Sequence, residues 1–191
     1  SFEGYSTCAS SDGCIQLSLS TLKTPIVVDK ASMTANVSAG WNNGEIYDEL
    51  ISQKLAFTTG TCRPVGVAGL SLGGGFGVLM RKHGMAADNI LAVEVVLYNG
   101  TLVVADEFNH KDLFWAMRGG GNGNFGVATS FRLRVFDTST DVFQISTIKV
   151  PSADAVEAFD AWQQWLSSLP HEAYSQLIRG RRMCRRGRLP L

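Results

Sequence analysis

Short β-rich runs dominate the first forty residues. "IQLSL" (15–19), "IVVD" (26–29) and "TANVSAG" (34–40) read as strands. The period then changes. In "NNGEIYDELISQK" (42–54), Ile46, Tyr47, Leu50 and Ile51 share one helical face, Asn42 or Asn43 can cap, and Glu45 suits the positive N-terminal end. "VLMRKHG" (78–84) predicts a short helix ended by Gly84. In "ILAVEVVLYNGTLVVA" (90–105), two β-rich runs flank Asn99-Gly100, a dipeptide suited to a type I′ hairpin turn because both central positions need positive φ. "NHKDLFWAMR" (109–118) predicts a helix capped by Asn109. "VATSFRLRVF" (127–136) alternates, with Val127, Thr129, Phe131, Leu133 and Val135 on one face and Arg132 and Arg134 on the other, which predicts a strand with one wet face. "VFQISTIKV" (142–150) predicts another strand. "PSADAVEAFDAWQQWLSSLP" (151–170) predicts an amphipathic helix with Pro151 ahead of a Ser152 cap. Val156, Phe159 and Trp162 recur at helical spacing, Trp165, Leu166 and Leu169 extend the apolar surface, and the tryptophans are expected in the core. Hairpins and helices without strict βαβ alternation predict an α+β fold.

Composition adds a bound. The chain has 191 residues, 45% apolar and 18% charged, with a mean hydropathy of +0.06, which suits one core-forming domain or one domain plus part of another. No apolar run approaches the ~20 residues of a membrane helix. The sequence opens on Ser1 and reads as an excerpt, so a missing leader says little about compartment. The net charge of zero hides an asymmetry: residues 1–178 hold 11 basic and 17 acidic side chains, and the last six arginines lie in "RGRRMCRRGRLPL" (179–191). The acidic body argues against nucleic acid as the main partner. The basic end can attract phosphate by charge, but no aromatic residue is interleaved to stack on bases, and it reads as a solvated, disordered tail.

Of the four cysteines, Cys8, Cys14, Cys62 and Cys184, none stands in CxxC spacing, so no zinc site is expected. Cys8 and Cys14 flank a turn and fit either a short-loop disulfide or two free thiols. Asn36-Val-Ser38 and Asn99-Gly-Thr101 match the glycosylation sequon and tilt slightly toward secretion. The three histidines, His83, His110 and His171, have no metal-ligand or triad spacing, and His83 reads as a packing residue.

The densest chemical signal is "TGTCRPVGVAGLSLGGGFG" (59–77), with seven glycines and Cys62 ahead of most of them. It is not a Walker loop, because Gly75 stands where GxxxxGK[ST] needs lysine. It does not match GxGxxG in any register. Gly121 to Gly126 does match, but between a helix and a strand, the reverse of the dinucleotide-binding order. A run this poor in side chains lets backbone N–H groups approach a flat or anionic ligand, or simply packs tight turns.

Order and spacing together carry a resemblance. "GTCRPVGVAGLSLGGGFGVLMRKHGMAADN" (60–89), "EVVLYNGTLVVA" (94–105) and "DLFWAMRGGGNGNFGVATSF" (112–131) resemble the berberine bridge enzyme-like family of FAD-linked oxidases, within the vanillyl-alcohol oxidase superfamily, over roughly residues 1–170. The resemblance implies a two-lobed PCMH-type FAD-binding domain over residues 1–137 and the start of a substrate domain over 138–178. It implies FAD as cofactor, linked in members that carry this cysteine through the sulfur, here of Cys62, to C6 of the flavin. Gly60, Thr61, Val65, Gly66, Gly69, Gly74, Gly75 and Gly77 would be backbone contacts, Asp88 and Asn89 would lie near the cofactor, and Gly126 and Val127 would lie by the adenine. The implied reaction is oxidation of an alcohol, sugar hydroxyl or related C–H donor by hydride transfer to flavin N5, with O2 as acceptor.

Two departures bound that expectation. Family members carry a "GGHS"-type pyrophosphate loop, whose last residue here would be Ser1, and a long substrate domain that supplies the catalytic base. The chain is therefore expected to be an inactive fragment with no assignable catalytic residue. The alternative is a truncated or spliced product that acts as an interaction module through its basic tail.

Overall fold

The computed structural model describes Gly13, residues 15–121 and residues 123–178. The possible Cys8–Cys14 disulfide, Cys184 and the tail at 179–191 lie outside the described residues. Among the described residues, seven strands and five α-helices follow in chain order: β1 (Val27–Asp29), β2 (Thr34–Ser38), α1 (Asn43–Ser52), β3 (Leu55–Ala56), α2 (Val67–Leu72), α3 (Met80–His83), β4 (Ile90–Val96), β5 (Leu102–Asp106), α4 (Lys111–Ala116), β6 (Val127–Arg134), β7 (Phe136–Asp137) and α5 (Ala155–Leu166). The mixture is α+β, as the periodicities predict.

The main sheet has the order β1-β2-β6-β4-β5, and every neighbouring pair is antiparallel. One row of facing residues crosses four of its strands: Val37 opposite Phe131, Phe131 opposite Val93, and Val93 opposite Ala105. All four are almost wholly buried, and a second row, Ala35–Leu133–Ile90, lies beside it. Cross-strand apolar pairs of this kind fix register, because a slip of one residue would turn the row to the other face. Ile46 and Leu50 of α1, Val67 and Leu72 of α2, and Phe114 of α4 complete the same core. β3 and β7 form a separate two-stranded ribbon.

Of the two cap candidates, Asn42 is the one that caps α1. Asn42 accepts from the Glu45 N–H at 3.0 Å while Glu45 accepts from the Asn42 N–H at 3.1 Å, a reciprocal capping box. Gly84 ends α3 with φ +82°.

Other expectations are corrected. Residues 15–19 form no strand, and Ile15 and Leu17 are exposed. Residues 142–150 form no strand either: Val142, Phe143, Ile145 and Ile148 are exposed, and no ladder partner exists for them among the described residues, without which alternation alone cannot hold a strand. At the hairpin, Gly100 takes φ +81° but Asn99 does not take positive φ. Gly100 N–H donates to Leu97 O, and Leu97 N–H to Thr101 O, both at 2.9 Å. The loop is thus a three-residue turn with glycine in the left-handed position, not a type I′ turn. Asn109 does not cap α4; its main-chain and side-chain N–H groups are both taken by Asp106, and His110 enters the helix at φ +50°. Ser152 opens a 3-10 turn without a side-chain cap bond. On β6 a register shift between Glu94 and Val95 leaves Thr129 as a bulge, so Ala128 rather than Thr129 joins Phe131, Leu133 and Val135 in the core; Arg132 and Arg134 face out as expected. The α5 tryptophans are not core: the helix buries no residue completely, Trp165 is half exposed, and half-buried Trp162 packs on Phe159 of its own helix and donates to Ser175 Oγ at 2.8 Å.

Candidate functional site

The loop that carries Cys62 is docked on the first turn of α1. A helix leaves its first N–H groups without internal partners. Here the Asn43 N–H donates to Val65 O and the Gly44 N–H to Arg63 O, both at 2.9 Å, while the next N–H is taken by the Asn42 cap. Close approach requires glycine at 44, since a Cβ there would stand 2.8 Å from Arg63 Cβ. Asn43 is fully buried and clamps both ends of the turn: its Oδ1 accepts from Thr59 Oγ1 at 2.9 Å and its Nδ2 donates to Cys62 O at 3.4 Å. Tyr47 Oη donates to Gly60 O at 2.8 Å, and Arg63 pairs with Asp48 across the loop. Burial pushes the Tyr47 phenol well above the ordinary tyrosine range, against the opposing charge of Arg63, so it remains a donor. Cys62 itself is a free, half-buried thiol.

The glycine run is not one feature but two. Gly66 is the extended N-cap of α2 and Gly69 lies within that helix; both are exposed, and a Cβ at either would meet nothing within 4 Å. With Thr61, Val65 and half-buried Cys62 they form an open strip of surface. The second group serves the chain's own packing. A Cβ at Gly77 would lie 1.8 Å from Thr59 O, one at Gly75 2.7 Å from Ala86 Cβ, one at Gly74 3.0 Å from Met85 Cε and one at Gly60 3.1 Å from Leu70. Behind the strip, the Ser71 hydroxyl is buried and has no hydrogen-bond partner among the described residues.

Asp88 and Asn89 approach the back of this run. Ala86 N–H donates to Gly75 O and Ala87 N–H to Gly74 O, both at 2.8 Å. Asn89 is buried and its Nδ2 is committed to Thr58, His83 and Met85, which makes it a bolt between segments. Asp88 is exposed, holds the Met85 N–H at 2.8 Å, and lines a shallow cleft of about 380 Å³ with Ala87, Trp115, Arg118, Gly119 and Gly120. Gly126 and Val127 stand apart, at the start of β6, where a Cβ on Gly126 would lie 2.5 Å from Val95 Cγ1. His83 packs on Phe136, ring centroids 3.8 Å apart, in agreement with a packing role.

Sequence reading missed three residues. Asn43 was visible only as one of two alternative caps. Tyr47 was visible only as part of an apolar face. Ser71 carried no signal within the glycine run, because the run's helix, α2, was not anticipated.

A family model described as an FAD binding domain matches residues 1–106. Berberine bridge enzyme-like 27 of Arabidopsis thaliana is 34% identical over 175 residues, 91% of this chain and 32% of the relative. Xylooligosaccharide oxidase of Thermothelomyces thermophilus is 39% identical over 158 residues, 80% of this chain and 32% of the relative. Among solved structures, BBE-like 1 of Physcomitrella patens superposes with a TM-score of 0.61 at 42% identity, over 63% of this chain and 26% of that one. The chain therefore spans about a third of the length of these curated relatives. FAD fits what is present: an open, Cβ-free strip over Gly66 and Gly69, a half-buried thiol at its edge, and an unsatisfied hydroxyl behind it. No helix among the described residues is long and apolar enough to cross a membrane. On the matched domain, the relatives and the shared fold, the chain belongs to the berberine bridge enzyme-like family of FAD-linked oxidoreductases, and its sheet is part of a PCMH-type FAD-binding domain.

Proposed function

We propose that the chain supplies one wall of the flavin site of a secreted FAD-dependent oxidase, and that Cys62 tethers the cofactor. The observation that carries this reading is the placement of Cys62, a half-buried free thiol held by Asn43 at the edge of the open strip. A sulfur must be reachable and able to lose its proton to act as a nucleophile, which a fully buried cysteine does poorly. When bound, the isoalloxazine would supply the two-electron chemistry, taking hydride at N5 from an alcohol, sugar hydroxyl or related C–H donor and passing the electrons to O2.

The chain's own residues bind and orient. Thr61, Val65, Gly66 and Gly69 offer backbone along the strip. Gly60, Gly74, Gly75 and Gly77 keep the segments behind it close enough to hold its shape. Asp88 and Asn89 fix the return from Gly74–Gly75, and Gly126 and Val127 are assigned to the adenine side. Residues 1–137 are taken as the FAD-binding part and 138–178 as the start of a substrate domain. None of the chain's residues is assigned as the catalytic base, and these 191 residues alone are expected not to turn over.

The test is expression under FAD-rich conditions, acid precipitation and visible absorption of the pellet. Yellow colour that survives precipitation and disappears in Cys62→Ser supports the tether. A colourless wild-type pellet sinks it. Oxidase activity from the chain alone would overturn the expectation of inactivity.

A further inference from the structure

The two sequons stand in opposite structural settings. Asn36 lies inside β2, paired with Val27 on one side and Arg132 on the other, and its partner Ser38 is buried with its hydroxyl accepting the Thr24 N–H at 3.0 Å. Neither the backbone bend nor the free hydroxyl that an acceptor site needs is available there. Asn99 lies at the tip of the β4–β5 hairpin. Tyr98, Asn99, Gly100 and Thr101 are all exposed, and β5 is the edge strand of the sheet. Asn99 Oδ1 accepts the Thr101 N–H at 3.0 Å, which folds the side chain back toward the threonine. Neither Asn99 Nδ2 nor Thr101 Oγ1 is engaged in a hydrogen bond among the described residues, so amide and hydroxyl are both presented to solvent on a bent backbone.

We propose that Asn99 is the acceptor of an asparagine-linked glycan and that Asn36 in the folded chain is not. The donor is a sugar activated through a phosphate or pyrophosphate ester at its anomeric carbon. Asn99 Nδ2 forms the bond to that carbon, the carbon–oxygen bond to phosphate breaks with its electron pair leaving on the phosphate, and the amide proton passes to a base of the transferring enzyme. No atom changes oxidation state overall. A glycan here projects from the turn of the hairpin, where Tyr98 to Thr101 are all exposed, and disturbs no packed side chain.

The test has two arms. In the first, purified full-length chain, native or as its tryptic digest, is incubated with a soluble asparagine glucosyltransferase and UDP-glucose, then mapped by peptide mass spectrometry. The native chain is expected to gain one hexose at Asn99 and none at Asn36, the digest to gain hexose at both, and Thr101→Ala to abolish the Asn99 product. In the second, the chain is secreted by yeast behind a leader and released with N-glycosidase in heavy-oxygen water. Isotopic label at Asn99 assigns a lipid-pyrophosphate donor; modification in the first arm alone assigns a nucleotide-sugar donor. The proposal is overturned if native chain stays unmodified at Asn99, if Asn36 is modified in preference, or if the digest is not modified at Asn99.

Discussion

The Asn43 side-chain amide donates to the carbonyl of Cys62 at 3.4 Å, joining the buried first turn of α1 to the loop that presents the thiol. The other half of the same amide accepts from Thr59 Oγ1, so one side chain sets the span from Thr59 to Cys62. Asn43→Ala leaves the buried Thr59 hydroxyl without its acceptor, leaves the Cys62 carbonyl with the Val65 N–H at 3.3 Å as its remaining donor, and removes the clamp. A loss of about 1–3 kcal/mol in urea unfolding is expected. Flavin retained after acid should fall further than stability alone requires, because the sulfur is no longer held at the strip. Equal retention by Asn43→Ala and wild type would separate Asn43 from cofactor attachment.

Gly77 and Gly69 test the division of the glycine run. Gly77→Ala drives a methyl group into the Thr59 carbonyl, and neither backbone can yield without opening the site, so a loss of roughly 4 kcal/mol or more is expected, seen as failure to give a cooperative melt. Gly69→Ala meets open space within a helix and should leave stability unchanged or raise it by up to about 1 kcal/mol. If the strip is the cofactor surface, Gly69→Ala nevertheless lowers FAD retention. Unfolding by Gly69→Ala would place that residue in the packing group instead.

His83 gives a pH dependence with a definite sign. Burial, with the charge of Lys82, lowers its pKa below 6.5, and Asp141 opposes the shift weakly. The unfolded chain then binds more protons than the folded one between the lowered value and 6.5. Stability contributed by neutral His83 is full above about 6.5 and is lost as pH falls through the folded pKa. His83→Phe keeps a ring against Phe136 and removes this dependence, which thermal melts between pH 5 and 7.5 would show as a flatter curve.

The sequence was legible where a local rule coincided with a buried face. An asparagine cap at the start of α1, the exposed arginines of β6 and the end of α3 at Gly84 each follow from a few neighbouring residues. It was less legible where tertiary contact decided. The Asn99-Gly100 pair is compatible with two hairpin turns, and the chosen one depends on pairing beyond the dipeptide. Cys62 and its glycines could be grouped from spacing, but their separation into an open strip and a packed wall depends on Thr59, Met85 and Ala86, which approach only in the folded chain. The alternation of 142–150 and the apolar face of α5 call for partners that the described residues do not contain.

Arg81 shows how α5 is nonetheless held. Its guanidinium donates to Leu169 O at 2.9 Å and to Ala173 O at 3.1 Å, and Lys82 stands 3.9 Å from Asp141 nearby. α5 completely buries none of its residues, so these charged bonds add to the half-buried Trp162, Leu166 and Leu169 in fixing its C-terminal end. Hydrogen bonds from a charged donor contribute about 1.5–3 kcal/mol each where partly shielded. Arg81→Ala should therefore speed amide exchange across Ala155–Leu166 by at least tenfold, since ~1.4 kcal/mol already corresponds to that factor. Exchange in β4 should not change, because its row of Val93 and Val95 is buried independently of Arg81. Unchanged exchange in α5 would mean that the helix is held by contacts other than the Arg81 clamp.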